Sequence, residues 1–146
     1  MDSFSISRNL VYIYIMKTKL NLLSKELSER LINIGFDYEV DYVYDNDGSI
    51  KRLDNFTNDY NGLTPAISAE IATQYLREEH NIDIFMARIG NITMPNIGYS
   101  FIIFVDDDCE PKFINTAYET YEEAIIDSIA KTINFINGIN EFTPPS

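Results

Sequence analysis

Leu27, Leu31 and Ile34, with Leu23 ahead of them, recur at steps of four and three, which lays one apolar stripe along a helix running from after Ser24 to Gly35. Ser24 is a good N-cap because its hydroxyl can accept from a free N–H of the first turn, and Gly35 suits the left-handed position past the last one. The period then drops to two. Phe36, Tyr38, Val40 and Tyr42 alternate with Asp37, Glu39 and Asp41, which predicts a half-buried strand. Asp45, Asn46, Asp47 and Gly48 supply a tight hairpin turn, and Ser49 to Leu53 returns as the partner strand. Asp54 to Leu63 is polar and Asn-rich and reads as a loop.

A second helix opens either at Thr64, with Pro65 in the first helical position, or at Ser68, and its apolar positions Ile67, Ile71, Ala72, Tyr75 and Leu76 lead on to His80. Ile82 to Ile89 and Gly98 to Val105 are two strands rich in Ile, Phe and Tyr, joined by a loop holding Gly90, Asn91, Pro95 and Asn96. A short third strand is expected over Lys112 to Thr116. Thr120 and Glu123 form a capping box before the last helix, which buries Ala124, Ile125, Ile129, Ile133 and Ile136 and stops at Gly138. The predicted order is helix, two strands, helix, two or three strands, helix. That is an α+β single domain over residues 17–140, an antiparallel sheet covered by helices, with 141–146 as a flexible tail.

Residues 1–16 are read separately, as an N-terminal arm or extra strand. Their apolar run, Leu10 to Met16 (LVYIYIM), is too short to span a bilayer and runs into Lys17 and Lys19 instead of a small-residue cleavage site, so export is rejected. Three readings stay open for it: a docking arm that adds to a sheet edge of another subunit, an ordinary first strand, or an extension upstream of a start at Met16. The run and the antiparallel sheet edges together lead us to expect a homodimer.

Composition narrows the function classes. The chain has 146 residues, 45% hydrophobic and 13% aromatic, enough apolar material for one core. Eleven Lys and Arg against 23 Asp and Glu give a formal charge of −12, which argues against direct nucleic-acid binding and against anionic membranes. Residues 1–36 are slightly basic, so the acid excess lies in the rest of the chain. A single cysteine, Cys109, and a single histidine, His80, leave no internal disulfide and no Cys/His zinc site, and a reducing cytoplasm fits best. His80, at a helix C-terminus, is expected to serve the helix end.

Two groups of residues carry the candidate chemistry. Asp106, Asp107, Asp108 and Glu110 crowd one strand-to-strand loop, where carboxylates could hold a divalent ion or simply keep a hairpin tip solvated. Glu110, Pro111 and Lys112 also form the acid-x-lysine triplet used by metal-dependent nucleases. Tyr38, Tyr42, Tyr44 and Tyr60 gather around the first hairpin and its loop, where aromatic rings with polar tips serve equally as a binding surface or as sheet packing. Asp45 to Gly48 partly matches a calcium loop, but Val43 would fall at the first ligand position, so a plain turn is the better reading. No Gly-rich phosphate cradle and no GxSxG elbow occurs. No catalytic residue, metal or cofactor is assigned.

Ser24 to Asp37 (SKELSERLINIGFD), Tyr75 to Ile84 (YLREEHNIDI) and Tyr118 to Ile136 (YETYEEAIIDSIAKTINFI) resemble, in order and spacing, a family of small uncharacterised proteins from Bacteroidetes genomes and their phages. Tyr75 stands where that family has Trp, and Ile125 where it has Leu. The resemblance implies a phage or mobile-element context and brings no catalytic residues. The expected function is a non-enzymatic acidic interaction protein that binds a protein partner with a basic surface, in one form an inhibitor mimicking nucleic-acid charge. The alternatives are a small-ligand or nucleotide-binding module at the tyrosine hairpin, and a metal-dependent hydrolase or nuclease at Asp106 to Glu110.

Overall fold

The first helix, α1 (Lys25–Asn33), forms where the stripe places it. The Ser24 hydroxyl accepts from the Leu27 N–H at 3.1 Å, and the helix ends on Gly35 at φ 108°. The Gly35 N–H reaches Ile32 O and the Phe36 N–H reaches Leu31 O, the paired bonds of a Schellman end, which use carbonyls the last turn would otherwise leave unpaired. The computed structural model describes residues 21–53, 62–90, 98–106, 110–113 and 117–139. Tyr60, Asp107, Asp108, Cys109, the arm over residues 1–16 and the tail over 141–146 lie outside the described residues.

The architecture is α+β, and the order after α1 is β1 (Tyr42–Tyr44), β2 (Ile50–Arg52), β3 (Thr64–Ala66), α2 (Ala69–His80), β4 (Ile82–Ile89), β5 (Gly98–Val105), β6 (Lys112–Phe113) and α3 (Tyr121–Ile136). In place of one sheet, the described residues form two antiparallel three-stranded sheets, ordered β2-β1-β3 and β4-β5-β6. The chain divides into two compact units, residues 1–70 and 71–146.

In the first unit, Leu22, Tyr44, Ile50 and Ala66 form a buried cluster on which Tyr42 packs. Leu23, Leu27 and Leu31 are buried along α1, with Ser28 beside them accepting from the Ile67 N–H at 3.4 Å. The strand predicted from Phe36 is shorter than its pattern. Burial does alternate over Phe36 to Asp41, but ladder pairing starts only at Tyr42, because β3 and β2 flank only the last three residues. The hairpin turn holds one residue more than a two-residue loop. Gly48, at φ 84°, donates to Asp45 O, and the Asp45 N–H donates to Ser49 O, the geometry of a type I turn followed by a left-handed glycine. Thr64 to Ala66, read as one alternative helix opening, is the edge strand β3. Pro65 suits a first helical turn and a sheet edge alike, since both spare its missing N–H, and tertiary pairing with β1 decides between them. The Ser68 alternative is the one realised.

In the second unit, β4 and β5 have the predicted bounds and pair along their full length, from Ile82 opposite Val105 to Ile89 opposite Gly98. Ile82, Phe101 and Ile103 form one buried cluster, on which Ile84, Met86, Val105, Tyr118, Phe135 and Ile136 pack, and Ala124, Ile125, Ile129 and Ile133 of the last helix are buried as its stripe predicts. β6 begins at Lys112 as expected, and residues 114–116 lie outside the described residues. In α3, Thr120 accepts from the Glu123 N–H at 3.1 Å, and Gly138 and Ile139 close a second Schellman end on Phe135 O and Asn134 O. Tyr118 and Tyr99 exchange both backbone hydrogen bonds, and a Cβ on Gly98 would lie 2.6 Å from Tyr118 O, so that bridge needs glycine there.

Candidate functional site

The tyrosine hairpin is mainly core. Tyr44 is 1% exposed and its hydroxyl donates to Leu23 O at 2.5 Å, while burial pushes its pKa up to about 12. This corrects its assignment as a binding residue: in β1 it shares a face with Tyr42, and that face covers Leu22, Ile50 and Ala66. Tyr42 is half-buried on the same cluster. Tyr38 is half-buried with its ring centroid 5.7 Å from that of Phe36. Among the described residues the hairpin therefore presents Tyr38 and the rim of Tyr42.

The turn itself is a carboxylate-centred knot. Asp45 Oδ1 accepts from the Ser49 and Asp47 N–H groups at 2.9 and 3.1 Å, and its Oδ2 lies 3.4 Å from Lys51 Nζ. A hydrogen bond with the Asp47 side chain, then the Ser49 N–H, Lys51 and the Asp47 N–H, hold its pKa at about 2 against desolvation. These contacts match a plain turn and leave the carboxylate occupied. The folded-state pKa lies below the ordinary 3.8, so the ionised Asp45 supports the hairpin at and above pH 4, and that support is lost as pH falls toward 2. A carboxyl ¹³C titration should place the Asp45 midpoint near 2; a midpoint near 4 would contradict this network.

The acidic loop joins β5 to β6, as expected. Asp106 is exposed at φ 52°, its N–H bonded to Asn81 O at 2.9 Å, and Glu110 is exposed beyond it. Among the described residues no three of His, Cys, Asp and Glu gather as a metal ion would require. His80 is the last residue of α2, and its ring contacts another side chain: Nε2 lies 3.0 Å from Tyr75 Oη. The Tyr118 hydroxyl donates to Asp127, and burial followed by that bond raises the Tyr118 pKa.

Two surfaces went unread in the sequence. One is an open groove of about 410 Å³ in the first unit, lined by Glu29, Ile32, Asn33 and Phe36 on one side and by Gly62 to Pro65 on the other, where Thr64 Oγ1 donates to Glu29 at 3.2 Å. The other is the face of β4 and β5 turned away from the Phe101 core. Its positions are Asp83, Phe85, Ala87 and Ile89 on β4, opposite Phe104, Ile102, Ser100 and Gly98 on β5. Ser100 and Gly98 are buried, with Ala117 and Tyr118 against Gly98, so the open part is the end around Asp83, Phe85, Ile102 and Phe104. Phe85 is 54% exposed and meets the half-buried Phe104 ring edge-on at 5.6 Å. Asp83 and Asp106 stand at one end of this aromatic patch. The signal in the sequence was a departure from alternation: Phe85, Ile102 and Phe104 are apolar on the face that a half-buried strand leaves polar.

No family model matches the chain, and no curated protein or solved structure matches it. No helix among the described residues is long and apolar enough to cross a membrane.

Proposed function

We propose that this chain is a non-enzymatic acidic interaction protein that binds a protein partner through the outward face of β4 and β5. The exposed Phe85 beside Phe104, with Asp83 and Asp106 at one end, is the observation that carries this reading. With Ser100 and Gly98 buried, the open part covers about half the length of the two eight-residue strands, about 13 by 10 Å or roughly 130 Å² at ordinary strand dimensions. A standard interface takes about 800 Å² from each partner, so the fit is to a short amphipathic segment with Lys or Arg beside apolar residues. The charge of −12 supports a cationic partner and would steer its approach. Cytoplasmic residence, a phage or mobile-element setting and the nucleic-acid-mimicking form of inhibition belong to this reading as its narrower versions.

The test uses two labelled peptides of equal charge, one alternating Lys with Leu and the other Lys with Ser. The Lys-Leu peptide should bind the chain more tightly, with both weakening as salt rises, and Phe85→Ser should remove the difference. Equal affinities, or a difference that survives Phe85→Ser, would overturn the assignment.

The groove favours a second reading, a small-ligand module in the first unit instead of at the tyrosine hairpin. A compound seated there at a hundredfold its Kd adds about 2.7 kcal/mol of stability. In thermal-shift screening Ile32→Trp should abolish that gain and Phe85→Ser should leave it.

A further inference from the structure

We propose that β4 is the pairing edge of a symmetric homodimer, with two copies joining β4 to β4 antiparallel and Phe85 opposite Phe85 of the second copy. The other side of β5 is occupied, by β6 at Ile102 and Ile103 and by the bridge from Tyr99 to Tyr118. Among the described residues β4 pairs on one side only, which leaves an eight-residue edge. Sheet edges are ordinarily protected by charged side chains, Pro, bulges or brevity, and Ile82–Ile89 (IDIFMARI) is eight residues long without Lys, Pro or a bulge, its protection limited to one charge of each sign. Its one acid, Asp83, and its one base, Arg88, make this edge electrically neutral in a chain of −12, so two copies can meet here without local repulsion.

The hydrogen-bond phase fixes the register. The Asp106 N–H donates to Asn81 O, which makes Asn81 and Asp106 a hydrogen-bonded pair one step before Ile82 opposite Val105. Antiparallel pairs alternate, so Asp83, Phe85, Ala87 and Ile89 bond toward β5, and Ile82, Ile84, Met86 and Arg88 turn their backbone groups to the open edge. A twofold axis at Phe85 sets Ile82 against Arg88 and Ile84 against Met86, using all four outward residues. Moving the axis to Met86 leaves Ile82 unpaired. In the Phe85 register Asp83 faces Ala87, no like charges oppose, and the two Phe85 rings occupy the closer, non-hydrogen-bonded pair on the outward face. The outward patch becomes continuous across the dimer, so each copy completes the other's docking surface.

The dimer rests on the edge geometry alone, and its test needs no peptide. The full chain should sediment at micromolar concentration as twice its 16.8 kDa mass. Arg88→Pro, which deletes one outward N–H at a position where an edge tolerates proline, should sediment as a monomer with unchanged circular dichroism. In a Cys109→Ser background, Phe85→Cys should form an intermolecular disulfide on mild oxidation, because Cα atoms about 4.5 Å apart in such a pair fall within disulfide reach. Phe104→Cys should not, being at least about 14 Å from its mate across three strand spacings. A monomeric full chain, a folded Arg88→Pro that still dimerises, or equal cross-linking at residues 85 and 104 would overturn the proposal. Should Arg88→Pro fail to fold, the cysteine pair decides alone.

Discussion

Tyr44→Ala should cost about 3–5 kcal/mol of stability, the range for deleting a fully buried aromatic, out of a total of about 5–15 kcal/mol for a domain of this kind. The ring sits among Leu22, Ile50 and Ala66, and its removal opens a cavity that neighbours held by the β1 ladder can only partly fill. Tyr44→Phe separates the ring from its hydroxyl. It keeps the packing and strands the Leu23 carbonyl, which the hydroxyl now satisfies, so a loss of about 1–3 kcal/mol is expected. Urea unfolding midpoints of the two variants check both figures. If Tyr44 were instead a contact residue at the surface, both substitutions would leave the midpoint nearly unchanged.

Phe101→Ala and Phe85→Ala should behave as opposites although both residues lie in one sheet. Phe101 is fully buried, opposite Met86 and against Tyr118, and its truncation should cost about 3–5 kcal/mol. Phe85 is more than half exposed, and outside any dimer or complex its truncation should move stability by no more than about 0.5 kcal/mol. Melting the two variants side by side in dilute solution measures the contrast. A large loss at Phe85 under those conditions would place the ring in the core of the unit and remove the ground for treating its face as a docking surface.

What could be read from the chain divides along the range of the interactions concerned. Ser24, Gly35, Thr120 and Gly138 mark helix ends because a cap is completed by backbone groups within a few residues, and all four act where the pattern puts them. The bounds of β4 and β5 were legible for a similar reason: each strand is long, apolar and bracketed by breakers. Pro65 was not, since its missing N–H fits two local structures equally well.

The candidate sites divide in the same way. Four tyrosines close together in sequence look like one aromatic surface, yet Tyr44 points into a core assembled from Leu22, Ile50 and Ala66, residues up to 22 positions away from it. The Phe85 and Phe104 rings meet only because β4 and β5 pair in one register, which a one-residue slip would undo by sending each ring to the opposite face. Local periodicity and capping thus determined which segments are helices and strands and where most of them end. The tertiary structure alone decided that the strands split into two sheets, which tyrosine is buried, and which aromatic face is left outward, because those outcomes depend on contacts between residues distant along the chain.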